Sequence, residues 1–257
     1  MEAALKVEDQ GIDVNIARDL EDLSEKAAEF IIRSVMDLMK SQEAVSIALS
    51  GGATPKFLYE RLAIQSIQQK VPWNRVHLFW GDERCVPPDD PDSNYRMADA
   101  TLISQVPIPM GNVHRMPGEK TPQAAADEYE KTLRSIFGPS LEWSRFDLAL
   151  LGVGADGHTA SLFPGSPALK EQKRWVVAPY VEKLKVHRLT LTPPVFNHAA
   201  LVLFLISGRE KAPIVRALLS PVPLQIFFPA QMIRPVQGRR LFFLDPSAAS
   251  LLDRGKG

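Results

Sequence analysis

One stretch of the sequence, FDLALLGVGADGHTASLFP at residues 146–164, constrains the fold more than any other. Its apolar start, Phe146 to Leu151, predicts a buried strand that ends at a glycine. The turn that follows carries three glycines and presents Asp156 and His158 two residues apart. In open α/β folds, ligands bind at the carboxyl ends of parallel strands. The stretch therefore predicts a parallel sheet with a functional site where this strand ends.

The same turn, GVGADG at residues 152–157, matches the GxGxxG pattern of dinucleotide-binding proteins. That fingerprint needs a long helix directly after its third glycine, with the helix N-terminus facing the pyrophosphate. Here Pro164 and Gly165 interrupt the chain, and Asp156 would repel a pyrophosphate. The pattern therefore favours another ligand, although a nucleotide-binding module stays open as an alternative.

Composition excludes several classes of partner. Thirty basic and thirty acidic side chains cancel, so we expect no binding to nucleic acid or to an anionic membrane surface. An anionic ligand must then be held by a local cluster of groups. A single cysteine, Cys85, excludes an internal disulfide and suits a reducing cytoplasm. Because residues 1–10 lack the apolar core of a signal peptide and no run reaches the length of a membrane span, we expect a cytoplasmic protein.

Strands and helices alternate along the chain. Periodicity and turn residues predict strands at residues 44–49, 76–80, 146–151, 175–178, 188–192, 200–207, 224–228 and 240–244. They predict helices at residues 19–40, 55–69, 94–104, 122–137, 210–219 and 245–252, the fourth capped by Thr121 and closed at Gly138. The alternation predicts one domain over residues 1–252 with a mostly parallel sheet covered on both faces, followed by a disordered tail at residues 253–257.

Two further strand ends carry polar motifs. SGGATP at residues 50–55 precedes a helix, and its glycines and free N–H groups suit a single phosphate, with Thr54 as a possible cap. An ordinary capped turn is the alternative. GDERCVP at residues 81–87 places three charges after a buried strand, where Arg84 could bind an oxyanion. For Cys85 we expect a small buried thiol rather than a nucleophile.

Other polar residues could complete a site. Asn94 lies in a polar SNYR segment that could begin a helix or a lid, and Arg188 and Lys211 open elements beside the predicted sheet edge. Each could bind phosphate or merely cap its element. The remaining four histidines follow no metal-ligand spacing, and the sequence has neither a CxxC motif nor a GxSxG elbow. We therefore expect no metal, no cofactor and no serine nucleophile.

In combination, these motifs resemble the 6-phosphogluconolactonase family, within the group that includes the glucosamine-6-phosphate isomerases. The matching segments fall in order over nearly the whole chain: SGGATP at 50–55, GDERCVP at 81–87, SNYRMA at 93–98, LLGVGADGHTASLFPG at 150–165, HRLTLTPP at 187–194, SGREKA at 207–212 and FFPAQMIRP at 227–235. The resemblance implies a single-domain three-layer α/β/α sandwich with a Rossmann-like sheet. It also implies hydrolysis of 6-phosphoglucono-1,5-lactone to 6-phosphogluconate, the second step of the pentose phosphate pathway.

The resemblance also implies roles for individual residues. His158 would be the base that activates water, Asp156 would orient it or hold sugar hydroxyls, and Arg84 would bind the substrate or its oxyanion. Asp82 occupies the position of an acid–base aspartate in the isomerase relatives. The phosphate and the rest of the substrate would be held by Ser50, Gly51, Gly52, Thr54, Asn94, Arg188 and Lys211. We expect a phosphosugar lactone as the small-molecule substrate, expect neither nucleic acid nor a membrane as a partner, and favour a monomer.

A phosphosugar isomerase or deaminase is the principal alternative. In those relatives the turn histidine is partnered by a glutamate five residues later, and here that position is Phe163. Phenylalanine can neither accept the imidazole proton nor stabilise an imidazolium by charge. The sequence therefore favours the lactonase.

Overall fold

The structure is a computed structural model, and it describes residues 5–7, 12–220 and 227–252. Its strands in chain order are β1 (Leu5–Val7), β2 (Ile12–Ile16), β3 (Val45–Leu49), β4 (Val76–Trp80), β5 (Asp82–Arg84), β6 (Val113–His114), β7 (Leu148–Leu151), β8 (Val176–Val177), β9 (Tyr180–Val181), β10 (Val186–Leu191), β11 (Leu201–Ile206) and β12 (Arg239–Leu244). The helices are α1 (Leu20–Leu38), α2 (Ala53–Gln68), α3 (Asn94–Thr101), α4 (Pro122–Phe137), α5 (Pro193–Asn197) and α6 (Ala212–Leu219), with short 3-10 turns between them.

Eight strands form the main sheet, in the order β1-β2-β12-β11-β7-β3-β4-β6. Every neighbouring pair in it is parallel except β1 and β2. Helices flank this sheet, so the predicted α/β sandwich with a mostly parallel sheet is confirmed. No helix of the described residues is long and apolar enough to cross a lipid bilayer.

The apolar runs of the sequence occupy the centre of the main sheet. All four residues of β7 and all six of β11 are buried. Parallel strands that are covered on both faces need such continuous apolar sequences. Helix α1 buries Leu23, Ala27 and Ile31, which recur at helical spacing on one side. The burial of these strand and helix residues fixes the register of the strands. It therefore also fixes the positions of the loops that follow them.

A second, antiparallel sheet lies beside the main one and was not predicted. Strand β10 pairs with β5, β8 and β9, and Arg188 lies opposite Arg84. The sequence predicted a strand at residues 188–192 but gave no sign of its direction. Antiparallel pairing needs no crossover helix, and β5 lies about 100 residues before β10, so the alternation of strands and helices does not reveal this sheet.

Several local predictions are wrong. Thr121 precedes α4 but makes no capping hydrogen bond, whereas Gly138 does close that helix with φ of 115°. Residues 245–252 form turns tied to the Asp245 carboxylate, which accepts from the Ala248 N–H at 2.7 Å, rather than a helix. Of the predicted strand at residues 224–228, residues 224–226 lie outside the described residues, and Phe227 and Phe228 are not in a strand. The predicted tail, residues 253–257, also lies outside the described residues.

Two histidines that are distant in sequence meet at the edge of the main sheet. Nδ1 of His77 on β4 lies 3.0 Å from Nε2 of His114 on β6, and the rings stack with their centroids 5.2 Å apart. Burial, together with the charge of His77, lowers the pKa of His114 to about 4. Burial also lowers the pKa of His77. The folded protein therefore resists protonation of this pair.

This pair predicts a loss of stability in mild acid. Between pH 6.5, the ordinary pKa of histidine, and about 4, the unfolded chain binds a proton at His114 that the folded chain does not. The free energy of unfolding therefore falls as the pH falls through this window. His114→Phe keeps a ring beside Phe79, whose centroid is 4.6 Å from that of His114, and removes the titrating group. We expect the drop in melting temperature between about pH 7 and pH 5 to be smaller in the variant. Equal drops in the two proteins would contradict this.

Candidate active site

Four loops meet at one edge of the main sheet. They follow β3, β4, β7 and β11, which are neighbours in the order β11-β7-β3-β4 and run parallel. The loops enclose a cavity of about 350 Å³. Its polar lining includes all but three of the predicted site residues: Ser50, Gly51, Gly52, Thr54, Asp82, Arg84, His158 and Lys211. The predicted location at the carboxyl ends of parallel strands is therefore where the structure has its cavity.

A second cavity of about 250 Å³ continues from the first. We call the two the first and the second lobe. They share Asp82, Arg84, His158 and Ala160 in their linings. Asp156 and Arg188 line the second lobe, whereas Lys211 lines the first. The structure thus separates Arg188 and Lys211, which the sequence analysis placed around one phosphate, and leaves Arg84 between them.

The loop after β3 has the form of an anion-binding turn. Gly52 ends it with φ of +107°, a conformation that favours glycine, and α2 begins at the next residue. The first N–H groups of a helix have no carbonyl partner within that helix, and Ala53 and Thr54 at the start of α2 line the first lobe. Thr54 lies inside the first turn of α2 and does not cap it, contrary to the prediction.

Buried side chains hold this loop from behind. The Tyr59 hydroxyl accepts from the Ser50 N–H at 2.9 Å and donates to the Ser50 carbonyl at 2.8 Å. Asn94 fills the space beside Gly51, where an added Cβ would lie 1.9 Å from the Asn94 Oδ1. Asn94 is only 2% exposed and lines neither lobe. It therefore supports the loop from below rather than facing the cavity.

The turn after β7 places His158. The Gly154 N–H donates to the His158 carbonyl at 2.8 Å, which closes the turn. A Cβ on Gly154 would lie 2.0 Å from the imidazole, so this position requires glycine. Gly157 adopts φ of +75° against the ring of Phe228. The glycines that suggested a nucleotide fingerprint serve to bring the imidazole close to the backbone.

His158 and Asp156 form a hydrogen-bonded pair. Nδ1 of His158 lies 2.5 Å from Oδ1 of Asp156, so the carboxylate fixes Nδ1–H and leaves Nε2 with a lone pair. Burial raises the pKa of Asp156, but the hydrogen bonds and charge of His158 and the ammonium of Lys183 outweigh it and lower that pKa to about 2. Asp156 is therefore a carboxylate over the whole range in which a histidine titrates.

Phe163 covers one face of the imidazole. Its ring stacks on that of His158 with the centroids 4.2 Å apart. Phe163 also lines the second lobe. Besides Asp156, the imidazole thus has an apolar neighbour at the position where the isomerase pattern has a glutamate.

Asp82 is held in place by two neighbours. Its Oδ2 accepts from the Ser161 hydroxyl at 2.7 Å, and the Asn94 amide donates to its carbonyl at 2.9 Å. Asp82 is 9% exposed and lines both lobes. A nearly buried carboxylate with a fixed orientation can receive a hydrogen bond from a sugar hydroxyl or from water.

The charged residues of the GDERCVP motif have different environments. Arg84 faces both lobes and also donates from Nη1 to the Asp92 carbonyl. Cys85 is half-buried, and burial raises the pKa of its thiol, as expected of an unreactive cysteine. Glu83 points away from the lobes because side chains alternate along β5. Its carboxylate accepts from the N–H groups of Asn94 and Tyr95 at 2.8 Å each.

Sequence reasoning did not single out four residues that line or support this site: Tyr59, Glu83, Ser161 and Lys183. Period-2 alternation through residues 82–84 could have assigned Glu83 to the face opposite Asp82 and Arg84. No local pattern identifies the others, because their roles depend on contacts that only the folded chain makes. Among the described residues, no group of three or more His, Cys, Asp or Glu is arranged to hold a metal ion.

Comparison with known proteins places the chain among phosphosugar enzymes. Residues 18–242 match the family described as glucosamine-6-phosphate isomerases/6-phosphogluconolactonase. The chain is 40% identical to a 6-phosphogluconolactonase of Synechocystis over 94% of this chain and 98% of that protein. It is 38% identical to a 6-phosphogluconolactonase of Nostoc over 93% of this chain and 98% of that protein.

Solved structures of enzymes from the same family have a similar fold. The 6-phosphogluconolactonase from Trypanosoma cruzi has a TM-score of 0.85 at 31% identity and covers 97% of this chain and 99% of its own. A monomeric glucosamine-6-phosphate deaminase has a TM-score of 0.78 at 22% identity, covering 93% of this chain and 99% of its own, which shows the fold alone.

Proposed function

The chain belongs to the family of glucosamine-6-phosphate isomerases and 6-phosphogluconolactonases, and from this premise we propose that it hydrolyses 6-phosphoglucono-1,5-lactone to 6-phosphogluconate. One observation carries the choice of the lactonase within the family. His158 has a carboxylate on Nδ1 and the phenyl ring of Phe163 on its face, which leaves a single basic nitrogen beside the cavity. One base is sufficient to activate one water molecule.

The reaction needs few groups because a lactone is an activated ester. Nε2 of His158 takes a proton from water, and the resulting hydroxide attacks C1 of the lactone. Asp156 stabilises the imidazolium that forms. The tetrahedral oxyanion is stabilised by the guanidinium of Arg84, which faces both lobes. The C1–O5 bond then breaks, and the ring oxygen takes the proton back from Nε2. Water and lactone give the acid, which ionises to 6-phosphogluconate.

The first lobe binds the phosphate in this proposal. The loop at residues 50–54 offers backbone N–H groups at the start of α2, and Lys211 and Arg84 supply positive charge at the same lobe. The sugar ring then reaches towards His158 and Asp82, which lie where the lobes join. Arg188 in the second lobe meets the lactone end of the substrate or the carboxylate of the product rather than the phosphate.

A coupled assay tests the function. 6-Phosphogluconate is followed by its oxidation with a dehydrogenase, and the spontaneous opening of the lactone is subtracted. The proposal expects formation that is faster than the spontaneous rate and proportional to the concentration of the protein. Rates equal to those without the protein, from a folded preparation that binds 6-phosphogluconate, would indicate a binding module instead. We further propose that the enzyme acts as a monomer in the cytoplasm.

Replacement of the isomerase glutamate by Phe163 gives a second prediction. Ring opening and aldose–ketose transfer require proton movements that a stacked phenyl ring cannot assist. We expect no ammonia from glucosamine 6-phosphate under conditions in which the lactone is hydrolysed. Ammonia release by the purified protein is measured with a glucosamine-6-phosphate deaminase as the positive control. Turnover of even about one per second, within the usual range of enzymes, would favour the isomerase assignment.

A further inference from the structure

A short hairpin overhangs the second lobe. It connects β9 to β10 through residues 182–185, and Lys185 in its turn adopts φ of 53°. Lys183 and Leu184 from this turn line the second lobe, whereas Lys185 lines neither lobe. The hairpin therefore brings one of its two lysines to the site.

Lys183 contacts the carboxylate that holds the imidazole. Its Nζ lies 3.3 Å from Oδ2 of Asp156, and the other oxygen of that carboxylate lies 2.5 Å from Nδ1 of His158. One carboxylate is thus shared between the ammonium of Lys183 and the imidazole of His158. The lysine side chain is 72% exposed and that of Asp156 is 26% exposed.

We propose that Lys183 is a positioning residue of this site, which acts through Asp156 and favours the neutral, proton-accepting form of the imidazole. The proposal rests on the role of His158 in the proposed function. A surface ion pair of this kind contributes little to stability. Its effect falls on the imidazole because Asp156 is the group that would stabilise an imidazolium.

The direction of the effect follows from the charges. The Asp156 carboxylate favours the protonated imidazole, and the Lys183 ammonium opposes it by neutralising that carboxylate. Removing Lys183 leaves Asp156 with His158 alone, so the imidazole retains its proton to a higher pH. The other charged groups that line the lobes with His158 are unchanged by this substitution: Asp82, Arg84, Arg188, Glu210 and Lys211.

The hairpin supplies its own control. Lys183→Met removes the ammonium that contacts Asp156, Lys185→Met removes the same charge two residues away, and Lys183→Arg restores a charge at the site. The imidazole of His158 is titrated by NMR in the intact enzyme, with its resonance assigned by comparison with His158→Gln. We expect the midpoint of the titration to rise by about 0.2–0.7 pH units in Lys183→Met. We expect Lys185→Met to match the parent and Lys183→Arg to lie close to it.

Salt provides a second readout. The Debye length falls from about 10 Å at 0.1 M to about 3 Å at 1 M, so the difference between the parent and Lys183→Met should shrink in high salt. An equal midpoint in Lys183→Met and Lys185→Met, or a lower one in Lys183→Met, would overturn the proposal. The titration needs no turnover. A protein that shows the shift without hydrolysing the lactone would therefore refute the proposed function and leave the coupling of Lys183 to His158 intact.

Discussion

Replacing His158 with alanine is expected to lower kcat for lactone hydrolysis by about 10²–10⁴-fold, the usual effect of losing a general base. Nε2 of His158 is the free basic nitrogen where the two lobes join, with Nδ1 committed to Asp156. The affinity for 6-phosphogluconate should change little, because the proposed phosphate loop at residues 50–54 follows β3, whereas His158 lies in the turn after β7. Kinetics and calorimetric binding of 6-phosphogluconate are measured on the same preparation.

Asp156→Asn is the matched variant for this experiment. An amide cannot neutralise the imidazolium, so kcat should fall while binding is again retained. A fully active His158→Ala protein would remove His158 from the mechanism. Loss of 6-phosphogluconate binding together with activity would instead place the histidine among the groups that hold the ligand.

Replacing Gly52 with valine is expected to raise KM by roughly 10- to 100-fold, the loss of one or two hydrogen bonds to a charged phosphate. Space does not prevent the substitution, since an added Cβ would approach only the Pro55 ring, at 3.9 Å. The backbone conformation opposes the substitution, because φ of +107° is a conformation that β-branched residues avoid. The loop would then turn its N–H groups away from the phosphate.

Gly138 offers a matched control for the strain itself. It closes α4 with φ of 115° and does not line either lobe. Gly138→Val should lower the melting temperature through the same kind of backbone strain and leave KM unchanged. Equal KM values in the two variants would show that the phosphate binds elsewhere. Lys211→Ala should raise KM in the same direction as Gly52→Val through loss of charge.

The sequence predicted the elements that are buried on both faces. The runs at β7 and β11 are apolar throughout, so their period and length leave one interpretation. Strand β2 was missed because its sequence, IDVNI, is short and half polar, and its partner β12 is more than 200 residues away. The second sheet was missed for the same reason, since β5 is three residues long and pairs with a strand about 100 residues later.

The site shows where sequence reasoning ends. Glycines and polar residues at strand ends identified the loops that surround both lobes, because parallel strands deliver their carboxyl ends to one edge. Sequence could not assign residues to lobes, which depends on how the second sheet docks. It therefore placed Arg188 with Lys211 and made Asn94 a ligand residue, although Asn94 packs beneath Gly51. Lys183 reaches Asp156 through the turn of a hairpin whose pairing no local pattern revealed.

The dependence of kcat on pH tests most directly whether a neutral imidazole activates the water. Saturating lactone is used, because kcat reports groups in the enzyme–substrate complex and is insensitive to ionisation of the free substrate. Spontaneous opening is subtracted at each pH. Since the pKa of Asp156 is lowered to about 2, its carboxylate stays ionised at every pH used. We expect kcat to fall as the pH drops through roughly 6 to 7, the ordinary range of a histidine. A constant kcat from about pH 5 to pH 8 would contradict this mechanism and assign the base to a carboxylate.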